Sequence, residues 1–238
     1  MSATTTHSRY DLLDALRGVA VVLMIAFHFC YDLNYFGWAQ FALYTDPFWL
    51  HSRTFIVTLF VTIAGISLYC ANRKGVGQGF WKREWLLLLC STLISVGTGY
   101  LFGASWIFFG VLHFMLVGSL LGVLFINAGV LNLILGIVLI VIGNTVTLPL
   151  FDQQPWQFFG LMTHKPFTED YVPLLPWFGV LLVGIGLGAQ WVKTPVLHQS
   201  LPQPMGRPLL WLGRHSLLVY MVHQPLLFSL FGWVQSLR

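Results

Sequence analysis

Apolar runs of about 18 to 22 residues recur along the chain, and each is long enough to cross a ~30 Å hydrocarbon core as one helix. No other feature narrows the fold so far. Only 8% of the 238 residues are charged and 57% are hydrophobic, with a mean hydropathy of +0.76. A soluble domain carries about a quarter charged residues. A transmembrane β-barrel shows short alternating segments, and none occur. The expectation is an all-α, polytopic transmembrane bundle, with residues 1–238 forming a single integral-membrane domain. The runs place spans near 12–33, 54–71, 84–102, 106–126, 130–149, 172–192 and 208–234. The count is seven, or eight if the last run divides, because Pro225 lacks an amide hydrogen and "GRPLLWLG" offers an early break. Charge interrupts the first run and no small-x-small site follows it, so it is expected to stay in the mature chain rather than be cleaved as a signal.

Lys and Arg set the orientation. With the N-terminus cytoplasmic, the inner segments hold Arg9, Arg73, Lys74, Lys82, Arg83, Lys193 and Arg207. The outer segments then hold only Arg53, Lys165 and Arg238. Asp46, Asp152, Glu169 and Asp170 gather outside. The chain is therefore expected N-in and C-out. Internal repeats, low-complexity tracts and heptads are absent from the sequence. The outer segment of about residues 150–171, with Trp156, His164 and the start of "YVPLLPWFG", reads as a lid or acceptor-binding surface. The net charge of +4 lies in inter-helix loops, which does not make a nucleic-acid footprint. Cys30, Cys70 and Cys90 lack metal-ligand spacing and read as small buried hydrophobes, so no metal is expected.

The first run, "LDALRGVAVVLMIAFHFCYDL", carries four ionisable residues. At ~100° per residue Asp14, Arg17, His28 and Asp32 fall within about 60° of one another, so they form one face. Ionised groups at mid-membrane cost about 2.5–3.5 kcal/mol each on insertion scales, and such a face turns toward a bundle interior or water. Asp14 and Arg17, at i and i+3, have the spacing of an ion pair near the inner surface. His28 lies about 22 Å beyond Leu13, in the outer half, with Asp32 one turn further on to orient its imidazole. His113, in "FGVLHF", His223, in "VYMVHQP", and His51, at the start of the second helix, share that outer leaflet. Each alone reads as a hydrogen-bonded packing residue; four together suggest proton chemistry or ligation. The inner half carries Asp14, Arg17, Glu84, and Arg214 with His215 in "GRHS". Lys82 and Arg83 open a helix after Gly75, Gly77 and Gly79, either to hold phosphates or as simple positive-inside anchors. Glycines in "IAGIS" and "GVLLVGIGLG" indicate close helix packing.

The opening "RYDLLDALRGVAVVLMIAFHF", then "FVTIAGISLY", "FGVLHF", "LLPWFGVLLVGIGLG" and the closing "GRHSLLVYMVHQP" resemble the bacterial branch of the heparan-α-glucosaminide N-acetyltransferase catalytic-domain family. That branch is similar to the wider integral-membrane acyltransferases that modify surface glycans. The resemblance runs from Arg9 to about Pro225. It implies an enzyme of the bacterial cytoplasmic (inner) membrane, among lipids, that takes acetyl from cytosolic acetyl-CoA to an amine or hydroxyl of a glycan-like acceptor reached from outside. His28 matches the first-helix histidine of the "LRGxA…H" pattern, taken as catalytic; Lys82 and Arg83 are similar to the coenzyme-contacting basic start of the third helix. The lysosomal relative has more spans and a luminal domain, and its histidine lies beyond the first helix, which keeps His51 beside His28 as the catalytic candidate.

On this reading Asp14, Arg17, Lys82, Arg83, Arg214 and His215 face the coenzyme. His28, with Asp32, His51, His113 and His223, does the chemistry as base or transient acyl carrier. Asn34, Trp177 and Tyr220 meet the acceptor, and His113, Asn34 or Tyr220 is placed to stabilise an oxyanion. Three alternatives stay open: a proton-coupled exporter of a small polar solute, a haem or quinone protein with histidine pairs at matched depth, and a non-catalytic interaction protein. Self-association also stays open, and no nucleic-acid partner is expected.

Overall fold

The computed structural model describes residues 10–198 and 206–237. Arg9 and Arg238, which entered the orientation argument, lie outside them. The helices are α1 (Asp11–Tyr35), α2 (Pro47–Asn72), α3 (Gln78–Phe102), α4 (Val111–Gly122), α5 (Leu131–Thr145), α6 (Leu174–Trp191), α7 (Gly206–Arg214) and α8 (Ser216–Ser236). Short 3₁₀ turns join several of them, and among the described residues the only β pairing is an isolated bridge between Phe109 and Tyr171. Six helices are long and apolar enough to cross a membrane: α1, α2, α3, α4 with its 3₁₀ extension to Ala128, α6 and α8. The expected span at 130–149 yields a helix of only 15 residues, about 22 Å long at 1.5 Å per residue.

Two expected boundaries move. The second helix begins at Pro47 rather than 54. The Asp46 carboxylate accepts the Phe48 N–H at 2.8 Å, its carbonyl accepts the Leu50 N–H, and Pro47 takes the first helical position, where its missing N–H costs nothing. The last run divides, but not at Pro225, which lies inside α8. The break falls at His215, with φ −110° and ψ 20°.

The chain forms two compact units. The first comprises Met1–Ile56 and Thr194–Arg238 and so holds α1, the start of α2, α7 and α8. Here α7 runs antiparallel to α1: Gly18 lies against the Leu209 carbonyl and Gly213 against the Asp14 carbonyl. Any Cβ at either glycine would overlap those backbone oxygens, so the contact requires glycine for its closeness. α8 runs parallel to α1, and side-chain pairs advance together along both. Beyond the polar pairs described below, Phe29, Phe36 and Trp38 all pack on the buried Phe231 ring, while Tyr35 and Phe36 pack on Phe228.

The second unit is Val57–Lys193. Gly136 of α5 and Gly179 of α6 are each placed so that a Cβ would strike the other's carbonyl, and Gly65 of α2 likewise meets the α6 backbone. These are the close approaches the glycine spacing implied. α3 is buried along one stripe, Phe80, Glu84, Leu87, Cys90 and Ser91, at helical spacing. Its remaining surface exposes Trp81, Trp85, Leu89, Leu93, Val96 and Leu101, as a lipid-facing helix does. The three cysteines are free thiols, Cys90 buried and the other two half-buried.

Candidate active site

In the first unit the polar face of α1 meets α8 in two adjacent pairs. His28 Nδ1 lies 3.0 Å from His223 Nε2, with ring centroids 4.9 Å apart. One turn along α1, Gln224 Nε2 donates to Asp32 Oδ1 at 2.7 Å. Asp32 is fully buried and His223 nearly so. Residues 28 and 32 share an α1 face because they are four apart, and the consecutive residues 223 and 224 of α8 divide between them.

The protons of the histidine pair follow from one fixed group. His223 Nδ1 lies 2.7 Å from the Tyr220 carbonyl, which only accepts, so Nδ1 carries the hydrogen and donates. His223 Nε2 then offers its lone pair to His28, whose Nδ1–H donates to it. In the neutral pair this leaves His28 Nε2 as an unprotonated nitrogen, the form a general base needs. Asp32 was expected to orient His28; its bonded partner is Gln224, and His223 holds the His28 ring. Gln224 falls between the recognisable His223 and Pro225 of "HQP" and was not among the expected site residues. The signal was present, since a polar amide follows the histidine inside an apolar helix.

The N-terminal end of α1 carries an ion network. Arg17 Nη1 donates to Asp14 Oδ1 at 2.8 Å and to the Gly213 carbonyl at 3.4 Å. Arg214 reaches Asp14 Oδ2 through Nε at 3.3 Å and Asp11 Oδ1 through Nη2 at 3.0 Å. Two cations thus meet two anions, with Asp14 buried at the centre. The expected ion pair of Asp14 and Arg17 is formed. His215 is exposed, its Nδ1 2.9 Å from the Trp211 carbonyl and its ring packed at a tilt against that indole. Also in this unit, Asn34 Oδ1 accepts the Phe41 N–H at 2.7 Å and closes the turn after α1. His51 is exposed in the second turn of α2, and the half-buried Tyr220 ring packs on His223.

In the second unit His113 is engaged through both nitrogens. Ser95 Oγ donates to the Ile107 carbonyl at 2.7 Å, so His113 Nε2, 2.9 Å away, must be the donor to Oγ. Nδ1 accepts the Gly110 N–H at 3.3 Å. The ring thereby ties the start of α4 to α3, and Ser95 is a partner the sequence reading did not pick out. Lys82 and Arg83 are exposed at the start of α3. Arg83 Nη1 donates to the buried Glu84 at 2.8 Å, and Ser119 Oγ lies 2.8 Å from the other Glu84 oxygen. Trp177 is half-buried in the first turn of α6.

The segment between α5 and α6 is anchored rather than loose. Asp152 accepts the Thr163 N–H at 2.8 Å and hydroxyl at 2.7 Å, and these bonds hold its carboxyl below the usual range. The Asp170 carboxylate accepts the Val111 N–H at the start of α4, where the helix dipole favours a negative charge. Burial raises the Tyr171 phenol, which donates to the Gln157 carbonyl at 2.6 Å. An open cleft of about 350 Å³, lined by Trp106, Phe108, Gln154, Gln157, His164 and Lys165 among others, lies on this segment. Among the described residues no group of three or more His, Cys, Asp or Glu side chains is placed to hold a metal ion.

Residues 9–225 match the family model described as heparan-alpha-glucosaminide N-acetyltransferase, catalytic. No curated protein and no solved structure matches the chain.

Proposed function

The chain belongs to the heparan-alpha-glucosaminide N-acetyltransferase catalytic family, and from that premise we propose that it transfers acetyl from cytosolic acetyl-CoA to a hydroxyl or amine of a glycan-like acceptor arriving from the outer side of a bacterial inner membrane, with His28 as general base. The observation that carries this reading is the paired imidazole at the α1–α8 contact, whose hydrogen order leaves His28 Nε2 unprotonated. His28 Nε2 takes the acceptor's proton as its oxygen or nitrogen attacks the thioester carbonyl. The imidazolium so formed keeps its Nδ1–H on His223, and its new proton passes to the departing coenzyme thiolate. The products are the acetylated acceptor and free coenzyme A.

For the donor end, exposed Lys82 and the outer nitrogens of Arg83 suit phosphate contact, with Glu84 fixing the direction of Arg83. Arg17 and Arg214 are balanced by Asp11 and Asp14. Their network suits the structural joining of α1 and α7 better than anion binding.

Purified protein given radiolabelled acetyl-CoA and glucosamine should release coenzyme A and form a labelled product. His28→Ala should reduce that rate by about 10²–10⁴-fold, the span general bases contribute, while His51→Ala leaves it within about threefold. Folded protein that neither binds nor turns over acetyl-CoA would exclude the reading.

A further inference from the structure

Asp32 and Gln224 share one hydrogen bond, and the second oxygen of each, Asp32 Oδ2 and Gln224 Oε1, is buried without a partner among the described residues. A buried acceptor without a donor is rare, because it has lost water and gained nothing in return. Two such atoms on two bonded side chains are rarer still, and Asp32 is 0% exposed. As a carboxylate oxygen and an amide oxygen the two atoms accept hydrogen bonds, so a group that satisfies both in that state must bring hydrogens. Asp32 lies one helical turn, about 6 Å along α1, beyond His28, and Gln224 directly follows His223 in α8. Hydrogen bonds made by adjacent substituents of one small ring cover that reach.

We propose that Asp32 Oδ2 and Gln224 Oε1 form the acceptor subsite, receiving the polar hydrogens of a hydroxyl or amine next to the reacting group and so holding the reacting O–H or N–H against His28. The subsite rests on the acetyl-transfer reading and adds a selection rule to it. Acceptors are polyols or amino-alcohols with neighbouring donors, and a lone alcohol is turned away because it leaves both oxygens unsatisfied. Gln224 is in this account a specificity residue, and Asp32 binds acceptor rather than steering the imidazole.

The test compares cis-1,2-cyclohexanediol with cyclohexanol as acetyl acceptors for the purified full chain with radiolabelled acetyl-CoA. The wild-type protein should favour the diol by about 10- to 100-fold in kcat/KM, well beyond the statistical factor of two. Asp32→Asn replaces the acceptor Oδ2 with an N–H₂ donor that cannot receive the acceptor's hydrogen, and should collapse the preference to about twofold. Gln224→Met removes Oε1 and, with it, the Nε2 donor to Asp32 Oδ1 at nearly constant volume; with the paired geometry lost it should lower the preference towards twofold, and it carries the test alone if the Asn variant does not fold. A wild-type preference near two, transfer to neither probe, or a variant that keeps the full preference overturns the subsite. Acetyl-CoA hydrolysis in the same samples judges the parent reading separately: His28-dependent hydrolysis without discrimination sinks the subsite alone.

Discussion

Adding one methyl group at Gly213 should reverse the sign that the same methyl has at Gly232. Both glycines lie in helices near the C-terminus, and in a free helix Gly→Ala gains up to about 1 kcal/mol. A Cβ at Gly232 meets no atom within 4 Å, so Gly232→Ala should leave stability unchanged or raise it slightly. A Cβ at Gly213 overlaps the Asp14 carbonyl oxygen, and backbone cannot swing aside as a side-chain tip can. α7 must then retreat from α1. The overlap itself costs about 1–3 kcal/mol by the usual scale of overpacking. Retreat also lengthens the 3.3 Å contact of Arg214 with Asp14 and the 3.4 Å bond of Arg17 to the Gly213 carbonyl, for roughly another 1 kcal/mol. Against the propensity gain, the net loss is about 2 kcal/mol, which for a chain of this length moves Tm down by about 4–8 °C. Thermal unfolding in detergent, followed by tryptophan fluorescence, measures both variants side by side. If Gly213→Ala melts at or above wild type, the close α1–α7 approach is wrong, and with it the role given to the ion network.

Two further outcomes follow from other parts of the molecule. His223→Ala removes the acceptor that holds the His28 Nδ1–H, and should lower kcat for acetyl transfer by about 10²–10⁴-fold with little change in KM for acetyl-CoA. A fall confined to KM contradicts an orienting role. Asp152 is held below its usual pKa by Thr163, so its bonds stabilise the segment above the unfolded carboxylate value and are lost as pH falls below about 4. Amide protection at Thr163 should drop across that window in wild type and show no such step in Asp152→Asn.

The polar face of α1 was legible because helical angle is arithmetic: residues 28 and 32 must share a side. What faces them was not, since partners some 190 residues away depend on packing that no local pattern encodes. His223 was visible as an ionisable residue in an apolar run. Gln224 was hidden because an uncharged amide raises no alarm in a hydropathy reading, although it bonds the most deeply buried carboxyl of the face. The early break that "GRPLLWLG" offered is formed, at His215 just past that stretch, while the alternative at Pro225 is not. Pro225 is the stronger local signal, yet the helix tolerates it, while contacts of Gly213 and Arg214 with α1 turn the chain ten residues earlier. Glycines in "IAGIS" and "GVLLVGIGLG", by contrast, announced that α2 and α6 pack closely, though not against which helix, because small residues at helical intervals in lipid have few other uses.

The Tyr220 carbonyl at the end of the histidine pair also limits what the pair can conduct. Charge loaded on His28 can hop to His223, but the next atom in line is an amide oxygen, far too weak a base to take a proton and release it onward. Along this row the path is a cul-de-sac. A pump needs a conductor open at both ends; this pair behaves like a capacitor, charged and discharged at one terminal. Along this row a proton that His28 receives leaves by the atom through which it came, which is what the proposed role of a group-transfer base asks of it.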